Sequence, residues 1–358
     1  MKRYVLSVVV ALGATLAGAG AALALSHPAK GQGVNPGVSH SLAPRFAPHL
    51  GFWLAGRHET HRRQTYRAAQ NRPRAATHRQ PREPHHLRGT TSSLYERTAK
   101  PWILARQGCL AARRHETGVV ILDFGKPAHK HHSYGTILFS NRFASNHKIT
   151  IAMVGYARGY VRCLHRGSRA HITLARGTSN YHPHVPSAYA AGVRWARATN
   201  KFGHLLRRYG LAAHVESAAA NDAEPAWDRS FHKTKQFFHG FRAAVHGHTL
   251  YDYGSLDGGV GAIWSARQMW YVAGGLRHTK ALPEIYYSAM AQQWAELARI
   301  AHRRYHRDVE FAGVMTQGGA TCHCGYTPHA AHRVLAHALA SQGVGHLALP
   351  RGGTNIVG

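Results

Sequence analysis

The chain has 358 residues, with 45 Lys and Arg against 15 Asp and Glu, a formal net charge of +30, and 31 His. That balance points to anionic polymers or a solvated basic surface; no motif for reading DNA sequence accompanies it, which sets specific nucleic-acid recognition aside. Acids are scarce enough that each acidic position carries information.

The amino terminus, Met1-Lys2-Arg3-Tyr4, leads into an apolar run over residues 5–25 with a small-x-small site at Ala22-Leu23-Ala24. Residues 1–24 read as a secretory signal cleaved after Ala24, with an uncleaved membrane anchor as the alternative, since the run is close to the ~20 residues that span a bilayer. No other segment is apolar and long enough to span, so no stable membrane span is expected after cleavage. Residues 25–98 are rich in His, Arg and Pro, as in Arg79-Gln80-Pro81-Arg82-Glu83-Pro84-His85-His86. They are expected to be a disordered basic linker suited to anionic wall polymers of a secreted or wall-associated protein. Residues 99–345 read as one β/α domain and 346–358 as a tail.

Within the domain, residues 119–123, 149–155 and 172–175 are short continuous apolar runs of the buried-strand type. A helix follows over residues 187–209, stopped by Gly210, then a strand ending at Asp222-Ala223-Glu224. Phe231, Phe238, Phe241 and Val245 mark a helical stripe, and residues 249–254 the next strand. Residues 269–272 and 282–287 are short strand candidates, Met290, Trp294, Leu297 and Ala301 a helix, 309–315 a final strand and 330–339 a closing helix. Roughly eight buried strands alternating with helices predict an α/β fold, a (β/α)8 TIM-type barrel with some helices short or missing. An open doubly wound sheet is the alternative, although no Gly-rich dinucleotide fingerprint follows the first strand.

Four cysteines in an exported chain suggest disulfides, with Cys109 to Cys163 the preferred pair. That leaves Cys322-His323-Cys324 as a local bridge, two free thiols, or a zinc set with His323, His329 or His332. Cys-x-Cys lacks the usual ligand spacing, so no metal is assigned and no cofactor is called for.

The informative stretch is Asn221-Asp222-Ala223-Glu224-Pro225-Ala226-Trp227. On a strand, residues i and i+2 share a face, so Asp222 and Glu224 project together, and Pro225 ends the strand. Two adjacent carboxylates raise the pKa of one of them, which yields the acid and ionised partner that glycoside hydrolysis requires. Asp123, Asn180, Asp252 and Glu284 also end strands, and barrel active sites gather at that face. Trp227, beside the pair, is the aromatic residue expected to stack on a sugar.

Asp123 on the first strand, Asp222-Ala223-Glu224 on a middle strand, Tyr251 and Tyr253 on the next, and Val314-Met315-Thr316-Gln317 on the last together resemble the glycoside hydrolase family 25-like group of β/α barrels. Gly177-Thr178-Ser179-Asn180-Tyr181 and Ala281-Leu282-Pro283-Glu284-Ile285-Tyr286 are similar to uncharacterised exported members in high-GC Gram-positive bacteria. The resemblance implies Glu224 as general acid, Asp222 as its partner, Asp123 as a supporting carboxylate and aromatic residues lining a sugar groove. The expected substrate is an N-acetylated cell-wall polysaccharide such as peptidoglycan, with retaining and inverting routes both open. In a further route a substrate N-acetyl group is the nucleophile, oriented by Asp222 with a hydrogen bond from Tyr251 or Tyr253. A non-catalytic glycan-binding barrel and a zinc-dependent hydrolase are the alternatives.

Overall fold

The computed structural model describes residues 90–317 and 325–357. The expected signal, most of the expected linker, and Cys322 to Cys324 lie outside the described residues. Among the described residues no helix is long and apolar enough to cross a membrane.

The elements in chain order are β1 (Thr90–Tyr95), α1 (Pro101–Arg113), β2 (Gly118–Asp123), β3 (Lys126–Lys130), β4 (Ser133–Ile137), β5 (Phe143–Ser145), α2 (Asn146–Cys163), β6 (Ile172–Ser179), α3 (Ala188–Arg208) and β7 (Val215–Asp222). They continue with α4 (His232–Ala244), β8 (Leu250–Asp252), α5 (Ala266–Trp270), β9 (Thr279–Ala281), α6 (Ser288–Ile300), β10 (Val314–Thr316), α7 (Pro328–Ser341) and β11 (Gly353–Val357). Eight strands form one sheet in the order β10-β11-β1-β2-β6-β7-β8-β9, every pair parallel. The order advances one neighbour at a time, without the reversal of a doubly wound sheet. β3, β4 and β5 are a separate antiparallel excursion between β2 and α2.

The sheet is curled and flanked by helices. Ile121, Ala175, Ala218, Ala220, Tyr251, Tyr253, Leu282, Met315 and Ile356 form one buried cluster that draws on β10 at one end of the strand order and on Leu282, just past β9, at the other. The face they share is therefore the concave one. Ala218 and Ala220 of β7 share this cluster with Tyr251 of β8 and with Tyr253 just beyond it. The opposite face packs against the helices through a larger core that includes Leu122, Leu174, Phe202, Phe238 and Trp294. Hydrogen bonds also run between residues 281–285 and 310–315, at the two ends of the order: Ala281 N to Glu310 O (2.8 Å), Met315 N to Pro283 O (2.8 Å) and Ile285 N to Met315 O (2.9 Å).

Local chemistry starts the helices. Pro101 opens α1, and the hydroxyls of Ser145, Ser187 and Thr327 accept N–H groups of the first turns of α2, α3 and α7. α1 and α2 lie close enough that a Cβ on Gly159 would sit 1.9 Å from Ala105 O, and one on Gly108 2.1 Å from Tyr156 O. A disulfide joins Cys109 of α1 to Cys163 of α2.

Several expectations need correction. Residues 149–155 are not a strand but lie inside α2, where Ile149, Ala152, Met153, Tyr156, Ala157 and Tyr160 are buried at helical spacing. Residues 269–272 are helical too, started by a capping box between Ser265 and Gln268. The third-from-last strand is β9, a few residues before the expected 282–287. The sheet also reaches beyond 99–345, because β1 and β11 lie in the segments expected to be linker and tail. Both are polar strands, so apolar patterning missed them. Ser93 Oγ accepts Ile121 N (2.8 Å) and shares a hydrogen bond with Thr354 Oγ1 (2.6 Å), so hydroxyls add to the ladder that joins β1 to β2 and β11.

Candidate active site

Alternation along β7 puts Asp222 on the concave face with Ala218 and Ala220, at the carboxyl-terminal rim. Glu224 follows past the strand end, and Glu284 follows β9. One carboxylate oxygen from each of these three residues lies within 4.8 Å of the others. Asp222 and Glu284 are buried, whereas Glu224 is partly exposed and is the member a ligand would meet. Asp123, at the end of β2, is buried, and its Oδ1 accepts Gly125 N at 2.8 Å. Among the described residues none of these acids forms a salt bridge, in a chain with a threefold excess of Lys and Arg.

Without a neighbouring cation, burial and mutual repulsion decide the protonation. Burial, then Asp257, push Glu224 up to about 7, although hydrogen bonds from Ser255 pull the other way. Asp222 is raised well above the carboxylate range by burial, then by Glu224, Glu284, Asp123 and Asp252. Glu284 is raised by burial and Glu224 against a hydrogen bond donated by the Tyr286 hydroxyl. Asp123 moves up to about 6 through burial, opposed by hydrogen bonds from Gly125 and Tyr253. At neutral pH the rim therefore holds protons as well as charge. Asp222 Oδ1 has no hydrogen-bond partner among the described residues.

The remaining expected residues divide between positioning and elsewhere. Asn180 clamps the backbone of Glu224 from both sides, with Nδ2 donating to Glu224 O (2.9 Å) and Oδ1 accepting Glu224 N (3.1 Å), so it holds the acid instead of facing a ligand. Asp252 alternates with Tyr251 and Tyr253 and so belongs to the helix-facing side of the sheet. There it accepts the N–H groups of Gly254 and Ala223, and burial pushes it up to about 8. Tyr253 stands beside Asp123. Tyr251 does not join the acids: it hydrogen-bonds Thr173 and lies near Glu216, at the amino-terminal ends of β6 and β7. Two residues of strand rise, about 6.6 Å, separate the two tyrosines along the sheet. Trp227 sits in the turn after Glu224, its backbone N–H donating to Glu224 O (3.2 Å), and its ring meets Tyr181 edge-on at 5.4 Å.

Sequence reasoning missed Tyr95, Glu96, Asp257 and Tyr286. Tyr95 accepts a hydrogen bond from Gln317 Nε2 (3.1 Å) and packs in a tilted arrangement, 4.7 Å between ring centroids, against Phe139, which the β3–β5 excursion brings to the rim. Glu96 is buried and raised to about 8, chiefly by burial. Tyr95 ends a polar strand and Glu96 follows it, in a stretch that read as linker. Tyr286 carried the one available signal, since it lies two residues from Glu284 on an extended segment. Of the expected zinc alternative, His329 contacts Arg333 and His332 the carbonyl of Leu349, each inside or next to α7.

No protein-family model, no curated protein and no solved structure matches the chain.

Proposed function

We propose that the chain is an exported, closed (β/α)8 barrel that hydrolyses an N-acetylated cell-wall glycan, with Glu224 as general acid. One observation carries this reading: Asp222, Glu224 and Glu284 share one rim of a parallel sheet, and Glu224 is held at about 7, where it is half protonated at neutral pH. The hydrogen bonds between residues 281–285 and 310–315 support closure of the sheet.

The separation of the acids favours one route over another. Inverting hydrolysis seats a water between two carboxyl groups about 6.5–9.5 Å apart, whereas one oxygen of each of these acids approaches the others to within 4.8 Å, a close spacing that disfavours that route. A neighbouring acetamido group fits better. Glu224 gives its proton to the glycosidic oxygen as the C1–O bond breaks, and the acetamido oxygen bonds to C1 in the same step. Asp222 Oδ1 accepts the acetamido N–H and holds the group in line. Water then attacks C1, giving its proton to the Glu224 carboxylate and releasing the acetamide. Trp227 and Tyr181 offer a sugar face beside the acid. The basic segment 25–98 would keep the protein on anionic wall polymers.

The test is turnover of bacterial cell walls and of chitooligosaccharides by the purified protein and by Glu224→Gln. Loss of turnover in the variant is the expected result. Equal turnover by both proteins would overturn the assignment of the acid. Binding without turnover by either would leave a glycan-binding barrel in place of an enzyme.

A further inference from the structure

A second cluster lies at the other end of the sheet, in the connections that lead into the amino-terminal ends of β10 and β11. His302 and Asp308 belong to the first connection and His346 to the second. His302 Nδ1 is 2.7 Å from Asp308 Oδ1, the rings of His302 and His346 are 4.8 Å apart between centroids, and one donor atom from each of the three residues lies within 4.8 Å of the others. We propose that this is a binding site for a transition-metal ion of the zinc class, which ties the two loops together.

Three features support it. The donor set, two imidazoles and one carboxylate, suits zinc, cobalt or nickel and does not suit calcium or magnesium, which take oxygen ligands. The backbone beside each donor is anchored: Ala301, Val309 and Leu347, the immediate neighbours of His302, Asp308 and His346, are all buried. The donors therefore start from fixed positions, which lowers the entropy lost on binding. His302 also sits in a π-type turn, Ala301–Tyr305, at the end of α6, a distortion that is frequent at functional sites and here presents the ring toward the neighbouring loop.

The geometry needs little adjustment. A tetrahedral ion with bonds of about 2.0–2.1 Å sets its donors about 3.3 Å apart. The ion would take the place of the proton between His302 and Asp308, opening that contact by about 0.6 Å, while His346 closes the third side and water takes the fourth position. Arg303 and Arg304 share the turn and oppose a cation held by charge alone, which favours an ion bound by coordinate bonds to nitrogen. Arg307 is drawn away, to the carbonyl of Gly275 (3.3 Å) and the ring of Trp270.

Cobalt titration of the full chain tests the site, because tetrahedral Co²⁺ absorbs strongly in the visible and the loose, octahedral complexes expected of the His-rich segment do not. The expected result is tetrahedral absorption that saturates at one equivalent, is abolished by Zn²⁺, and weakens at least tenfold in apparent affinity in His346→Gln and in Asp308→Asn. Both residues are exposed, so the variants keep the fold, as circular dichroism will verify. Titrations that are the same for wild type and both variants, or no tetrahedral absorption at all, would overturn the proposal. Neither result bears on the carboxylate rim.

Discussion

Neighbours fix the backbone of Glu224, and at its carboxyl burial and repulsion outweigh the hydrogen bonds from Ser255, so replacing the carboxyl with an amide should separate chemistry from stability. Glu224→Gln is expected to lower turnover by about 10²–10⁴-fold while its melting temperature stays equal to or above that of the wild type, since an amide relieves the repulsion from Asp257. Activity and thermal melting on the same preparations check both halves. Glu96 reports on pH. Its carboxyl moves from 4.5 up to about 8 in the folded chain, so between these values the folded state keeps a proton that the unfolded state has lost. Its contribution is complete below pH 4.5 and disappears as pH rises through 8, on the order of a few kcal/mol. Glu96→Gln should therefore flatten the fall in stability between pH 5 and 8, as denaturant melts at the two values will measure. The Asp222 and Glu224 pair was legible in the sequence because acids are rare in it and alternation is a firm rule. Tyr251 was misplaced because alternation gives a face and says nothing of depth, and Asn180 because a strand-end amide looks the same whether it holds backbone or ligand.

The helical pair α1 and α2 is joined twice, by a glycine contact and by a disulfide. Replacing Cys109 and Cys163 with serine opens a loop with a sequence separation of 54, for a loss of about 4 kcal/mol, to be read as a drop in denaturation midpoint under oxidising conditions. Gly159→Leu should be more damaging still, because its side chain would enter the backbone of Ala105 and the helices would have to part. The elements also show how a strand count can be right while its members are wrong. Residues 149–155 and 269–272 are short apolar runs whose periodicity does not separate strand from buried helix; Ser145 and the Ser265-Gln268 box were the discriminating signals. β1 and β11 balanced the tally unseen, since β1 is largely Thr and Ser and β11 has only Ile356 and Val357 as apolar signal. Strands with conventional patterning, β2, β6, β7 and β8, fell where the sequence put them.

At the scale of the whole sheet, residues 281–285 and 310–315 are where a ring and a sheet with two free ends would differ. If the ring is closed, the amides of Ala281, Ile285 and Met315 should exchange with solvent as slowly as those of β7; exchange at the rate of an open edge would leave a half-barrel. The charge of +30 makes a separate prediction, that retention on an anionic wall polymer falls steeply with added salt. A buried rim of carboxyl groups with raised pKa values has one more outcome, visible in calorimetry without any substrate. When the fold opens near pH 6.5, acids that were kept neutral inside ionise and hand their hydrogen ions to the medium. The measured heat of denaturation will then depend on which buffer receives them: an amine, which evolves much heat on protonation, should make the transition look less endothermic than phosphate does.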